Sequence, residues 1–151
     1  MDPSNLLVVF TLVGRQLALP VAVVERIVRA VEVTPVPQRS EMVLGVINLQ
    51  GRIIPVLDIR TLFGSPRREL EPSDQLIIAQ SPTRTVALVA EGVSGVVEYE
   101  ENDAMEADAV LPGLGYIQGV VKRGGETILI CSLDQLLFPE IEKTLHEALE
   151  G

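Results

Sequence analysis

One cysteine, Cys131, and one histidine, His146, supply all the thiol and imidazole chemistry of this 151-residue chain. A structural zinc site takes four nitrogen or sulfur ligands, usually in close pairs, so these two residues cannot build one. A histidine-based triad has no plausible member, because His146 sits near the chain end on the polar side of a predicted helix. Cys131 follows the apolar run 128–130 and reads as a small buried thiol. A lone cysteine also rules out an intrachain disulfide, which is compatible with a reducing compartment.

The carboxylates offer two further candidates. Glu98, Glu100, Glu101, Asp103, Glu106 and Asp108 form an acidic run. It lacks the Asp-x-Asp-x-Asp-Gly spacing and closing glutamate of a calcium loop, and reads as a solvated loop. Asp58 and Asp134 each follow an apolar strand and precede a short apolar helix. A catalytic pair would have to face each other across a cleft, whereas this shared context predicts helix caps. The loop from Gly113 to Gly119 misses dinucleotide spacing by one residue. It also leads into a strand, whereas a phosphate site needs a helix N-terminus. No catalytic, cofactor or metal site is expected, and the chain is expected to work by binding.

The elements that position these residues are written twice. Residues 45–63, beginning Gly45-Val46-Ile47-Asn48 and closing on Asp58-Ile59-Arg60-Thr61-Leu62-Phe63, are echoed by 119–138. An upstream pair, 17–24 and 86–93, is also similar. Leu17 and Val86 are 69 residues apart, Gly45 and Gly119 are 74 apart, and Asp58 and Asp134 are 76 apart. A slowly drifting offset is the mark of a duplicated unit with small insertions, and two copies are too few for a solenoid. The runs 6–13, 16–19, 76–79, 85–89 and 93–99 read as strands, and 42–49 with 52–57 and 116–122 with 126–132 as hairpins. A helical turn is expected near 21–25, then a strand over 27–33. A short helix at 59–63 and a terminal helix at 139–149, with Ile141, Leu145 and Leu149 on one stripe, complete the reading. The fold class is therefore mostly β: two small β-barrel subdomains packed as one domain over 1–151. Subdomain one is expected over 15–75 and subdomain two over 76–138, with strand 6–13 a candidate to be shared between them.

Composition narrows the function classes. The chain is 47% apolar but only 3% aromatic, so Val, Ile and Leu must build the core. A net charge of −9 opposes binding to nucleic acid or an anionic membrane surface. No run approaches the roughly 18 apolar residues of a membrane helix. No basic region precedes the first apolar run, so a secretory signal is not expected and a cytoplasmic setting is.

The segment Gly45-Val46-Ile47-Asn48-Leu49-Gln50-Gly51-Arg52-Ile53-Ile54-Pro55-Val56-Leu57-Asp58-Ile59-Arg60 resembles the signature of CheW-like domains. The resemblance runs from about Leu6 to Phe138 and includes Pro35-x-Pro37, Gly119-Val120 and Leu133-Asp134. It implies two five-stranded SH3-like barrels around a shared apolar interior. It implies a non-enzymatic adaptor that joins the cytoplasmic helical tips of chemoreceptors to the regulatory domain of the CheA histidine kinase. It implies recruitment to receptor arrays rather than membrane insertion. Gln50 stands where the family commonly has arginine, in position to hydrogen-bond Glu25 without a bidentate ion pair.

Gripping a helical hairpin takes an apolar groove with a polar rim. Val23, Val24 and Ile27 are candidates for the groove, and Glu25 for the rim. Gly45, Asn48, Gln50 and Gly51 are candidates for the flanking hairpin. Three other readings stay open: an adaptor of a pilus or gliding system, a module of a larger regulatory protein, and an enzyme on a β scaffold. An oligonucleotide-binding barrel is disfavoured by the acidity and the scarcity of aromatics.

Overall fold

A computed structural model describes residues 5–37, 41–66, 68–106 and 115–137. Among these residues, apolar β-branched runs punctuated by glycine give eleven strands: β1 (Leu6–Leu12), β2 (Arg15–Pro20), β3 (Val24–Arg29), β4 (Val43–Leu49), β5 (Arg52–Leu57), β6 (Gln75–Gln80), β7 (Thr85–Ala90), β8 (Gly92–Glu98), β9 (Ala104–Glu106), β10 (Ile117–Arg123) and β11 (Glu126–Cys131). Among the described residues, turns of 3-10 helix cover Val21–Val23, Ile59–Phe63 and Glu101–Asp103, and one short helix, α1, covers Leu133–Leu136.

The strands form two sheets. Sheet A has the order β8-β1-β2-β11-β10-β9, and sheet B the order β3-β6-β7-β5-β4. Pairing β1 with β6, β2 with β7, β3 with β8, β4 with β10 and β5 with β11 turns one order into the other, β9 apart. The two parallel contacts, β2 with β11 and β5 with β7, correspond under the same rule. So do the bulges. Glu25 is the extra residue between Val24 and Arg26, and Ser94 between Val93 and Gly95, 69 positions later. Leu44 and Gln118, 74 apart, are the extra residues in the other pair. These are the offsets seen in the sequence. β9 also has a partial counterpart: Thr34 and Val46 exchange both backbone hydrogen bonds, at 2.8 and 2.9 Å, along the edge of β4.

Sheet membership crosses the middle of the chain. The β1–β2 hairpin joins strands of the second half, and the β6–β7 hairpin joins strands of the first. Each copy of the repeat lends its leading hairpin to the other. Among the described residues the pairings leave both sheets open-edged.

Three apolar clusters follow. The largest lies between the sheets and includes Phe10, Leu12, Leu17 and Leu19 of sheet A with Leu57, Ile77, Val86 and Leu88 of sheet B. Ile47, Ile54, Val56, Leu76 and Ile78 fill the other face of sheet B, and Leu7, Val9, Val121, Ile128 and Ile130 that of sheet A. Burial on both faces explains why these strands read as continuous apolar runs.

Several local expectations change. The short helix expected at 59–63 is there as 3-10 turns, capped as expected by Asp58, whose Oδ1 accepts from Arg60 N–H at 3.0 Å. In the second copy the cap is Ser132, whose Oγ accepts from Gln135 N–H at 3.3 Å; Asp134 sits exposed in the first turn of α1. Strand β3 begins at Val24 and not at residue 27, because the helical turn stops at Val23. The acidic stretch is not all loop, since Glu98 ends β8 and Ala104–Glu106 forms β9. The expected terminal helix 139–149, His146, Asp108 and the glycine loop at 113–114 lie outside the described residues. No helix among the described residues is long and apolar enough to cross a membrane.

Candidate functional site

At one end of sheet B the starts and ends of four strands converge. Glu25 rides on the bulge of β3. Its Oε2 accepts from Arg52 Nη1 at 2.8 Å, and its Oε1 accepts from Gln80 Nε2 at 3.1 Å. Arg52 Nη2 also donates to Thr85 Oγ1 at 3.2 Å. Gln80 ends β6 and Thr85 begins β7 as cross-strand partners, which sets them side by side. Next to this cluster, Arg26 Nη2 donates to Gln50 Oε1 at 3.4 Å.

The β4–β5 turn supplies Gln50. Gln50 and Gly51 have φ of 52° and 86°, the left-handed pair that a two-residue hairpin requires. Asn48 Oδ1 accepts from Gly51 N–H at 2.9 Å and closes the turn. Both partners of Glu25 on one side, and Gln50 on the other, are exposed, so the cluster is a polar rim open to solvent.

Large apolar side chains flank it. Ile53 is 56% exposed and Ile27 37%. Val23 and Val24 are half-buried against the main core. They serve partly as packing, which limits how much of them a partner could touch.

Seven of the eight predicted site residues, Val23, Val24, Glu25, Ile27, Asn48, Gln50 and Gly51, thus belong to β3, the turn before it, or the β4–β5 hairpin end. Gly45 does not join them. It lies buried at the far end of β4, where a Cβ would overlap the Thr34 carbonyl oxygen and stand 2.8 Å from Val33 Cγ1. Its φ of 152° and this close crossing are what require glycine. The expected Glu25–Gln50 bond is also replaced: Glu25 pairs with Arg52 and Gln80, and Gln50 with Arg26. Arg26, Arg52, Ile53, Gln80 and Thr85 were not foreseen. The hairpin register could have set Arg52 beside the turn, but Gln80 and Thr85 enter only through the exchanged hairpin.

A second polar cluster is internal. Arg60 Nη1 donates to Asp58 Oδ2 at 2.8 Å, with both side chains buried. Arg68 grips Asp74 with two bonds of 2.9 and 3.0 Å, and Glu71 N–H donates to the same carboxylate at 2.8 Å. Burial opposes the charge on Asp74, but the Arg68 and Glu71 hydrogen bonds outweigh it and hold the carboxyl below its ordinary range. Burial pushes the Cys131 thiol up to about 12, so it stays protonated and inert. Among the described residues no three His, Cys, Asp or Glu side chains could hold a metal ion.

Comparison with known proteins agrees with a binding role. Residues 6–138 match the CheW-like domain. The chemotaxis protein CheW of Thermotoga maritima is 30% identical over 129 residues, covering 85% of this chain and 84% of its own. That of Rhizobium meliloti is 30% identical over 112 residues, 73% of this chain and 72% of its own. Protein FrzA of Myxococcus xanthus is 26% identical over 130 residues, 81% and 78% of the two chains. Among solved structures, the scaffolding protein TtCheW from Thermoanaerobacter tengcongensis superposes with a TM-score of 0.81 at 27% identity, covering 91% of this chain and 95% of its own. With sequence and fold agreeing over nearly the whole length, this chain belongs to the CheW-like domain family.

Proposed function

We propose that this chain is a non-enzymatic chemotaxis adaptor that couples the cytoplasmic helical tips of chemoreceptors to the CheA histidine kinase. The observation that carries this reading is the CheW-like match over residues 6–138, with relatives named as chemotaxis proteins of nearly the same span. The adaptor works in the cytoplasm and reaches the membrane-associated array through the receptors it binds. Each sheet acts as one SH3-like barrel of the pair, a reading supported by the Glu25–Arg52 ion pair between strands that two others separate.

The receptor docks on the end of sheet B. Ile27 and Ile53, with the exposed parts of Val23 and Val24, supply the apolar contact. Glu25, Asn48, Gln50 and Gly51 form its rim, joined by Arg26 and Arg52. A helical hairpin brings apolar ridges with polar flanks, which this surface complements.

The test is sedimentation of purified kinase with receptor-bearing membranes, with and without the chain. Kinase is expected in the pellet only when the chain is present. An Ile27→Asp, Ile53→Asp double variant with unchanged circular dichroism should lose receptor co-sedimentation by at least tenfold. Kinase that sediments equally without the chain overturns the adaptor reading; full-strength binding by the double variant overturns the placement of the site.

A further inference from the structure

The β1–β2 turn is built from an unfavourable residue. Val13 and Gly14 have φ of 54° and 69°, whereas the β4–β5 and β10–β11 turns place Gln50-Gly51 and Gly124-Gly125 in the same conformation. A β-branched residue in the left-handed region is strained, and such strain persists only where surrounding contacts impose it.

The contacts that impose it come from Glu91 and the 3-10 turn Ile59–Phe63. Glu91 Oε1 accepts from Val13 N–H at 2.8 Å, and Glu91 N–H donates to the Thr11 carbonyl at 2.9 Å. Glu91 Oε2 accepts from Arg60 Nη2 at 3.2 Å and lies 3.7 Å from Arg68 Nη2. On the other side of the turn, the Arg15 guanidinium rests 5.6 Å from the centre of the Phe63 ring. Arg60 and Phe63 belong to one 3-10 turn that follows β5 of sheet B, while Val13 and Arg15 belong to sheet A.

We infer that Glu91 is a positioning residue, a carboxylate latch that fastens the strained Val13–Gly14 turn of sheet A to the 3-10 turn of sheet B. Both of its oxygens face donors, Val13 N–H on one and Arg60 on the other. Only a carboxylate satisfies both; an amide of the same shape must turn an NH2 group toward one of them. The fastened turn lines an open groove of about 420 Å³ with Gln16, Glu126, Thr127 and Leu129. The latch therefore sets the shape of that groove, whichever partner the chain serves.

The test is native-state amide exchange by NMR on Glu91→Gln, on Glu91→Ala, and on Glu91→Gln combined with Val13→Gly. Both single variants should speed exchange at Val13, and at Arg15, which pairs with Leu12 to close the hairpin, at least tenfold while amides in the centres of β6 and β7 keep their wild-type rates. In the combined variant glycine holds the turn unaided, as at Gly124 and Gly125, and protection at Arg15 should return to within threefold of wild type although residue 13 has lost its acceptor. Unchanged protection of Val13 in Glu91→Gln overturns the latch. So does an equal acceleration of the β6 and β7 amides, which would mark Glu91 as a general stabiliser, or a combined variant no better protected at Arg15 than Glu91→Gln alone.

Discussion

Glu25 and Arg52 lie on strands that two others separate, yet Glu25 Oε2 and Arg52 Nη1 are 2.8 Å apart. In a flat sheet three strand spacings would hold their backbones about 14 Å apart. The two long side chains reach toward each other across β6 and β7, and Gln80 and Thr85 lie between them as further partners.

Arg52→Ala should separate binding from stability. Both partners of the pair are substantially solvated, so the loss of stability should stay within about 1 kcal/mol. Receptor co-sedimentation should fall clearly, because Glu25 loses the partner that orients it. Urea unfolding run beside the binding assay checks both halves of this expectation.

Gly45→Ala should do the reverse. The added methyl meets the Thr34 backbone in a buried crossing at a φ of 152°. A destabilisation of about 2–4 kcal/mol is expected from overpacking and backbone strain together. The urea midpoint would report it, and a fall under about 0.5 kcal/mol would show that the connector yields easily.

Arg60→Met should cost about 3–5 kcal/mol, since it leaves the Asp58 carboxylate buried without its cation. Replacing both, with Asp58→Asn and Arg60→Met together, should cost less than the sum of the single changes. A double-mutant cycle by chemical denaturation measures that coupling.

Acid should weaken the fold through Asp74. Its carboxyl is held below the ordinary value of 3.8, so ionised Asp74 favours the native state. That contribution is complete above about pH 4 and is withdrawn as pH falls through the lower native value. Asp74→Asn should lower stability at neutral pH and flatten its dependence below pH 4. Thermal melts between pH 2.5 and 7 read both effects.

Much of this was legible in the chain. The offsets of 69 and 74 residues reappear as paired bulges at Glu25 and Ser94 and at Leu44 and Gln118. Spacing records local geometry, and a bulge is a local event. The exchange of hairpins was not legible. Strands buried on both faces carry no periodicity to name their neighbours, so nothing local told β2 to lie beside β11 or β7 beside β5. The site shares that blindness: Glu25 and Gln50 were singled out from their own segments, but their hydrogen-bond partners Arg52, Gln80 and Arg26 are set by which strands lie side by side, and Gln80 comes from the exchanged hairpin. Gly45 was misplaced because a glycine demanded by a close backbone crossing looks, in sequence, like a glycine in a recognition loop.

The exchanged hairpins carry a consequence for the protein's architecture as a product of duplication. A solitary copy would lack the two strands at the heart of its own sheet and expose the gap where they belong. Its simplest stable form is a homodimer in which each chain completes its twin. The link between Phe63 and Gln75 makes that partnership permanent within one polypeptide, so the surfaces of the two sheets can diverge while their stoichiometry stays fixed at one to one.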